Sequence, residues 1–293
     1  MKTIVFPLLL STAALAGPIQ NGGFDNNPAN LALLSPWQQN GTTAGLSVTR
    51  TSSSFASSPL SLRVTGRGTA TDGPVQQQNV LAALTNGGTY VTRFQIKLDA
   101  PAQVRCLMFV AASIAQTPIL LAETVVRSDR VGQWITVEGD ALVSWTGTPT
   151  AARMYLAVEQ LYPSTAPVSA FPSYNLDDVF MELDNDGDGL SNSEETTTNP
   201  NAKDTDGDTM ADKWELTHGF NPNSSADAVL DADGDGHSNK IEYWANTNPL
   251  SAASYPGITS DPLASTATKA LLYYLQTRVA HVNGRYLTGT NAQ

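Results

Sequence analysis

The chain has 293 residues, a length that allows about two folded domains. Its charged fraction of 15% is low and its hydrophobic fraction is 41%, so most of the chain is expected to fold. The 27 acidic residues outnumber the 16 basic ones. The resulting net charge of -11 excludes nucleic acid as an expected partner, because phosphate binding draws on clustered Lys and Arg.

Residues 1–16 have the pattern of a secretory signal peptide. An apolar run from Ile4 to Leu15 ends at a cleavage site made by the small residues Ala14 and Ala16. The run is too short to span a bilayer, and no later stretch approaches about 20 apolar residues. We therefore expect a secreted protein, extracellular or at the cell surface, without membrane insertion.

Cys106 is the only cysteine, so the chain can form no internal disulfide bond. Residues 104–110 around it have the composition of a β-strand, and a buried, unreactive thiol is expected there. The three histidines lack the spacing of a zinc protease or a hydrolase triad. We predict no catalytic residue in this chain.

Residues 17–183 alternate short β-rich runs with turn residues. The runs at 61–65, 89–96 and 134–137 have the composition of strands, and Gly, Asn and Pro recur between them. No long helical period appears in this segment. An antiparallel β-sandwich is therefore the simplest fold.

The same segment resembles carbohydrate-binding modules of families 4, 9 and 22. Six family landmarks occur in the expected order, at Asn21–Asp25, Ser61–Arg67, Asn86–Tyr90, Gly132–Trp134, Met154–Glu159 and Tyr174–Val179. The resemblance implies an all-β jelly roll that binds a polysaccharide of the xylan, mannan or β-glucan class.

The resemblance also implies which residues contact the polysaccharide, namely Arg67, Tyr90, Tyr155 and Glu159. Aromatic rings offer flat apolar area to sugar rings, and polar side chains fix the hydroxyl groups. Family 22 members place a stacking Trp where this chain has Thr71, which leaves the glycan undefined. The alternative, that the tyrosines are strand residues at the edge of the core and Arg67 is a solvated turn cation, stays open.

A structural calcium ion is a further implication of the resemblance. Asp25 in the first strand and Asp177 in the closing strand stand where the family holds this ion. Adjacent strand residues point to opposite faces, so only one of Asp177 and Asp178 can be a ligand.

Residues 184–250 contain three copies of a calcium-loop spacing, and 15 of the 27 acidic residues fall between 184 and 242. Each copy has Asp at loop positions 1, 3 and 5, Asn or Asp at position 9 and Glu at position 12, which are oxygen ligands suited to calcium. The predicted ligands are Asp184, Asp186, Asp188, Asn192 and Glu195; Asp204, Asp206, Asp208, Asp212 and Glu215; and Asp231, Asp233, Asp235, Asn239 and Glu242. Position 6 is Gly in the first and third loops but Thr209 in the second, a departure expected to weaken or reshape that site.

These loops resemble bacterial thrombospondin type 3 repeats. A disordered acidic linker would not reproduce the same spacing three times, and a dockerin would use a different spacing after the loop. The segment has few apolar residues, so calcium is expected to supply its order. We expect a loop-rich, calcium-rigidified spacer.

Residues 251–293 comprise a linker and a predicted amphipathic helix from Thr268 to Val279. They weakly resemble the start of a family 26 type glycoside hydrolase barrel, which needs about 250 residues. We expect either the truncated start of a catalytic domain or a short capping helix.

Together these patterns predict a secreted polysaccharide-binding module with a calcium-rigidified spacer, attached to a glycoside hydrolase that it targets to substrate. The alternative is an extracellular adhesion or matrix protein that uses the repeats as a calcium-dependent stalk. A small glycosidase acting through Glu159 is disfavoured, because no spacing singles out a second carboxylate for it.

Overall fold

The computed structural model describes residue 24 and residues 37–57, 60–76, 80–161 and 171–256. The chain forms two compact units, of which the first ends at Glu194 and the second begins at Glu195. The predicted signal peptide, Asp25 and the predicted C-terminal helix lie outside the described residues. Within the described ranges, no helix has the length and apolar character needed to cross a membrane.

The first unit is a β-sandwich of two antiparallel sheets, as predicted, with five described strands in each. The strands are β1 (Trp37–Asn40), β2 (Ser47–Thr51), β3 (Ser61–Thr65), β4 (Gly73–Gln76), β5 (Gly88–Leu98), β6 (Ala102–Ala112), β7 (Ile119–Val126), β8 (Ile135–Val143), β9 (Pro149–Gln160) and β10 (Tyr174–Leu183). The first sheet has the order β1, β4, β9, β6, β7, and the second has the order β2, β3, β10, β5, β8.

The core lies between the two sheets because the strands alternate buried and exposed side chains. In β6, the even-numbered residues from Ala102 to Val110 are buried, whereas the odd-numbered ones are half-buried. This period of two is that of a strand with one face against a core. Cys106 is fully buried, as predicted, and burial raises the pKa of its thiol to about 12.

The first acidic loop is built onto the sandwich. The Asp184 amide donates to the Thr89 carbonyl at 3.0 Å, and Arg93 donates to the Gly189 carbonyl at 2.7 Å while pairing with Glu194. The first compact unit continues to Glu194, and the predicted domain boundary after residue 183 stays a prediction.

The described part of the second unit contains two short helices, α1 (Asp212–His218) and α2 (Asn239–Ala245), in a segment predicted to be loop-rich. Each helix begins at the ninth position of an acidic loop and carries the Glu of position 12 in its first turn. The Trp214 ring of α1 meets the Tyr243 ring of α2 edge-on, with centroids 5.1 Å apart. The second and third acidic loops thus each end in the first turn of a helix.

Candidate functional site

An aromatic group lies on the outer face of the first sheet. The register of β6 and β9 places Leu107 opposite Tyr155 and Phe109 opposite Arg153. Directly paired residues of an antiparallel ladder project to the same side of the sheet. The Arg153 guanidinium carbon lies 5.3 Å from the ring centroid of Phe109 and 5.6 Å from that of Tyr155, so one cation bridges two aromatic rings.

Charged and amide side chains continue this face along the same strands. Arg105 forms an ion pair with Glu159, and Gln103 lies opposite Glu159 in the ladder. The Arg105 and Glu159 side chains retain 34% and 40% of their exposure, so water reaches both. We call the set of Gln103, Arg105, Phe109, Arg153, Tyr155 and Glu159 the β6–β9 face.

The β6–β9 face combines apolar rings with accessible donors and acceptors. Aromatic rings can pack against the C–H faces of sugars, while guanidinium, carboxylate and amide groups exchange hydrogen bonds with hydroxyls. Tyr155 and Glu159 were predicted from the sequence to contact the polysaccharide, whereas the other four members were not. The alternating pattern of residues 102–110 could have indicated three of them, because it places Gln103, Arg105 and Phe109 on one side of a strand.

Arg67 lies inside the first unit, with only 5% of its surface exposed. Its guanidinium donates to five main-chain carbonyls, those of Thr69, Ala70, Asp72, Val158 and Pro172. The guanidinium carbon also lies 5.1 Å from the Tyr174 ring centroid. These contacts occupy the donors of Arg67, so we leave it out of the sugar site and assign it to the structure of the turn.

Tyr90 also lies in the interior, with 1% of its surface exposed. It belongs to β5 in the second sheet, and its hydroxyl accepts a hydrogen bond from the Thr85 amide at 2.7 Å. Of the four residues predicted to contact the polysaccharide, the structure therefore places only Tyr155 and Glu159 on the outer face of the first sheet, where both are half-buried.

Asp177 is fully buried at an irregularity in the pairing of β10 with β5. Its carboxylate accepts from the amides of Ala56 and Asp178, each at 2.9 Å. Asp178 instead accepts from the Ser57 hydroxyl. Asp25 is not described, so a calcium ion shared by Asp25 and Asp177 stays a prediction.

The three acidic loops have the same local geometry. In each loop the first three aspartates place carboxylate oxygens within 4.8 Å of one another, at Asp184, Asp186 and Asp188; at Asp204, Asp206 and Asp208; and at Asp231, Asp233 and Asp235. The first Asp accepts from the main-chain amides of positions 4 and 6 in every loop. The loop backbone therefore folds around this carboxylate.

The backbone conformation at position 6 is conserved among the loops despite the change of residue. Thr209 has a φ of 85°, close to the values of 95° at Gly189 and 97° at Gly236. The Thr209 amide still donates to Asp204, at 2.6 Å. The second loop thus keeps its shape, at the steric cost that a side chain incurs at positive φ.

The ninth residue of each loop braces the loop backbone. Its side-chain oxygen accepts from the amide of position 2, at 3.0 Å for Asn192, 2.8 Å for Asp212 and 3.2 Å for Asn239. Asp212 also accepts from the Thr205 hydroxyl. The repeated contact is structural, and direct binding of a cation by these three residues stays a prediction.

The donor set of the second and third loops fits a hard cation. Among the described residues, no hydrogen-bond donor reaches the buried Oδ2 atoms of Asp206, Asp208, Asp233 and Asp235, Oε1 and Oε2 of Glu215 or Oε2 of Glu242. Burial raises the pKa of Glu215 to about 8 and that of Glu242 to about 7, and neighbouring aspartates add to both increases. Buried carboxylate oxygens need a partner, and calcium prefers oxygen ligands of this kind.

Family models match both parts of the chain. A carbohydrate binding domain model matches residues 17–165, and a bacterial TSP3 repeat model matches residues 184–201, 204–225 and 231–252. Neither match extends beyond residue 252, so the expected likeness to a family 26 hydrolase is not confirmed. No curated protein matches the chain.

Solved structures of similar proteins include three family 22 modules. The CBM22-2 xylan-binding domain of Paenibacillus barcinonensis Xyn10C is 21% identical, with a TM-score of 0.42 over 52% of this chain and 94% of that one. The CBM22-1 domain of the same protein is 19% identical, with a TM-score of 0.41 over 52% and 88%. The C-terminal family 22 module of Clostridium thermocellum Xyn10B is 13% identical, with a TM-score of 0.41 over 52% and 87%. By the match of the domain model to half of its length, this chain belongs to the carbohydrate binding domain family, and bacterial TSP3 repeats follow that domain.

Proposed function

We propose that this chain is a secreted polysaccharide-binding protein that holds its glycan on the β6–β9 face. The observation that carries the proposal is the group formed by the half-buried rings of Phe109 and Tyr155 and the exposed Arg153, beside the Arg105–Glu159 ion pair. A carbohydrate binding domain with this face has both the apolar and the polar groups that sugar recognition needs.

In this proposal the rings of Phe109 and Tyr155 pack against sugar C–H groups across neighbouring strands. Arg105 and Glu159 exchange part of their mutual contact for hydrogen bonds to sugar hydroxyls. Both are partly exposed, so sugar hydroxyls can reach them. The Arg153 cation contacts both the Phe109 and the Tyr155 ring and thereby holds them in position for the sugar.

The glycan belongs to the xylan, mannan or β-glucan class in this proposal. Thr71 offers no ring for stacking, and its main-chain carbonyl accepts from the Asn40 side chain at 2.8 Å. Selectivity among these glycans would then come from the β6–β9 face rather than from the segment around Thr71.

We further propose that the three acidic loops bind calcium and stiffen residues 184–250. The repeated acid spacing, the convergent carboxylates and the buried oxygens without donors support this role. Bound calcium would supply the positive charge that these carboxylates lack, and folding of the repeats would depend on it. The chain would thereby act as a non-catalytic targeting unit for a glycoside hydrolase.

Native gels containing xylan, mannan, mixed-linkage glucan or soluble cellulose test the binding proposal on the full chain in calcium. We expect one glycan to retard the protein, and we expect Tyr155→Ala to abolish the retardation. Tyr255→Ala is the matched control, because Tyr255 is 51% exposed and lies outside the β6–β9 face. Unchanged migration in every glycan would contradict the proposal and favour the adhesion or matrix role.

A further inference from the structure

Asp227 is an acidic residue of the second unit that belongs to none of the predicted loops. It lies between the matched repeats, which cover residues 204–225 and 231–252. Its carboxylate nevertheless comes within 4.8 Å of ligand atoms of Asp208 and Glu215, the fifth and twelfth positions of the second loop. Among the described residues, the first and third loops have no equivalent carboxylate supplied from outside the loop.

The oxygens of this cluster are buried and lack donors. Glu215 has no exposed surface, and no hydrogen-bond donor among the described residues reaches either of its carboxylate oxygens. The same is true of Oδ2 of Asp208 and Oδ1 of Asp227. Three carboxylates that face one another with unsatisfied oxygens repel, unless a cation lies between them.

The second carboxylate oxygen of Asp227 explains how the side chain is held. Oδ2 accepts from the Asn221 amide at 2.9 Å, while Oδ1 is buried and no donor among the described residues reaches it. The ninth residue of the loop, Asp212, is meanwhile engaged by the amide and hydroxyl of Thr205. Asp227 thus supplies, from outside the loop, a carboxylate that Asp212 does not supply from within it.

We infer that Asp227 is a ligand of the calcium ion bound by the second loop, together with Asp206, Asp208 and Glu215. Calcium takes six to eight oxygens and accepts ligands from separate parts of a chain. Asp227 adds a carboxylate to a loop that already carries Asp or Glu at positions 1, 3, 5, 9 and 12, of which the ninth, Asp212, is engaged by Thr205. The added charge raises the affinity of this loop above that of the third.

The same residue connects the second loop to the third. The Asp227 carbonyl accepts from the Asn239 side chain at 2.9 Å, and the Ala228 carbonyl accepts from the Lys240 amide at 3.1 Å. Asn239 in turn braces the third loop through the Ala232 amide. Calcium at the second loop therefore orders the segment that supports the third, and the two loops bind calcium cooperatively.

Calcium titration of the isotope-labelled full chain, followed by NMR, tests this inference at each loop separately. The amides of Gly187, Gly207 and Gly234 report the first, second and third loops. In Asp227→Asn we expect the Gly207 signal to saturate at a calcium concentration higher by about tenfold or more. Replacing a residue that only contacts a metal ligand already lowers metal affinity by about that factor. The first loop should titrate as in wild type.

Asp227→Asn keeps an oxygen that can accept from the Asn221 amide, so the turn survives while the charge is lost. Asp129→Asn, an exposed change on the sandwich, is the charge-matched control and should leave all three titrations unchanged. An unchanged Gly207 titration in Asp227→Asn would overturn the inference. The wild-type protein gives a second test that needs no variant: the Asp227 side-chain carboxyl 13C signal must shift at the same calcium concentration as that of Asp208, and a signal that stays fixed would also overturn it.

Discussion

Replacement of Arg67 separates a structural role from a sugar-binding role. Its side chain is 5% exposed and donates to main-chain carbonyls from three separate stretches of the sequence, around residue 70, at Val158 and at Pro172. The contacts to Ala70, Asp72 and Pro172 are short, at 2.6 to 2.8 Å. Arg67 therefore ties the turn before β4 to the end of β9 and the start of β10.

The cost of Arg67→Met follows from these contacts. Each of the three short hydrogen bonds contributes about 1 to 1.5 kcal/mol, so their loss predicts a decrease of about 3 to 4.5 kcal/mol in the free energy of unfolding. Methionine retains most of the apolar volume, so the decrease reports the polar contacts rather than a cavity. A change of this size is a large share of the stability of a typical domain.

Urea unfolding followed by tryptophan fluorescence, in saturating calcium, measures this loss. Arg153→Met is the matched control, because Arg153 is an exposed arginine on the β6–β9 face. We expect the control to change stability by less than about 0.5 kcal/mol while weakening glycan binding. A loss of glycan binding in Arg67→Met, with a free energy of unfolding within about 1 kcal/mol of the wild-type value, would refute the structural role of Arg67.

Three further predictions concern single residues. Thr209→Gly should stabilise the calcium-loaded protein by about 1 kcal/mol in thermal unfolding, because it relieves a side chain at positive φ; a decrease would show that the Thr209 side chain makes a compensating contact. Burial alone would raise the pKa of Asp72, but hydrogen bonds from Thr43, Gly68 and Thr69 lower it below its ordinary value of 3.8. The stability that Asp72 contributes is therefore present above pH 3.8 and is lost as the pH falls below the lowered pKa. Asp72→Asn should reduce this acid-dependent loss of stability in unfolding experiments from pH 5 to pH 2. An unaltered pH profile would contradict the stabilising role of the Asp72 carboxylate. The Cys106 thiol, buried and with its pKa raised to about 12, should react with a maleimide at pH 8 only after unfolding, and rapid labelling of the native protein would show that the core opens.

The strands were predictable because their signal is local. Ser61–Thr65 was expected and observed with the same limits, and the expected strand at 89–96 lies within β5 (Gly88–Leu98). The loop geometry was predictable for the same reason, since each loop folds around its own first aspartate. Patterns that are complete within about a dozen residues could therefore be recognised without the structure.

The composition of the β6–β9 face depends on contacts between residues that are distant in the sequence, and the sequence alone does not show these contacts. Phe109 and Arg153 meet only because β6 pairs with β9 in one particular register. Arg67 had the chemistry of a sugar ligand, but carbonyls from residues 158 and 172 surround it in the folded chain. Asp227 was overlooked because it lies outside the loop spacing and reaches the second loop only through the turn at Asn221.

A map of amide NMR shifts on addition of the glycan that retards the protein tests the central claim most directly. We expect the largest shifts at Arg105 and Phe109 in β6 and at Arg153, Tyr155 and Glu159 in β9, and we expect Tyr155→Ala to remove them. Shifts confined to β5 and β10 in the second sheet, or to residues 184–250, would contradict the claim that the β6–β9 face binds the polysaccharide.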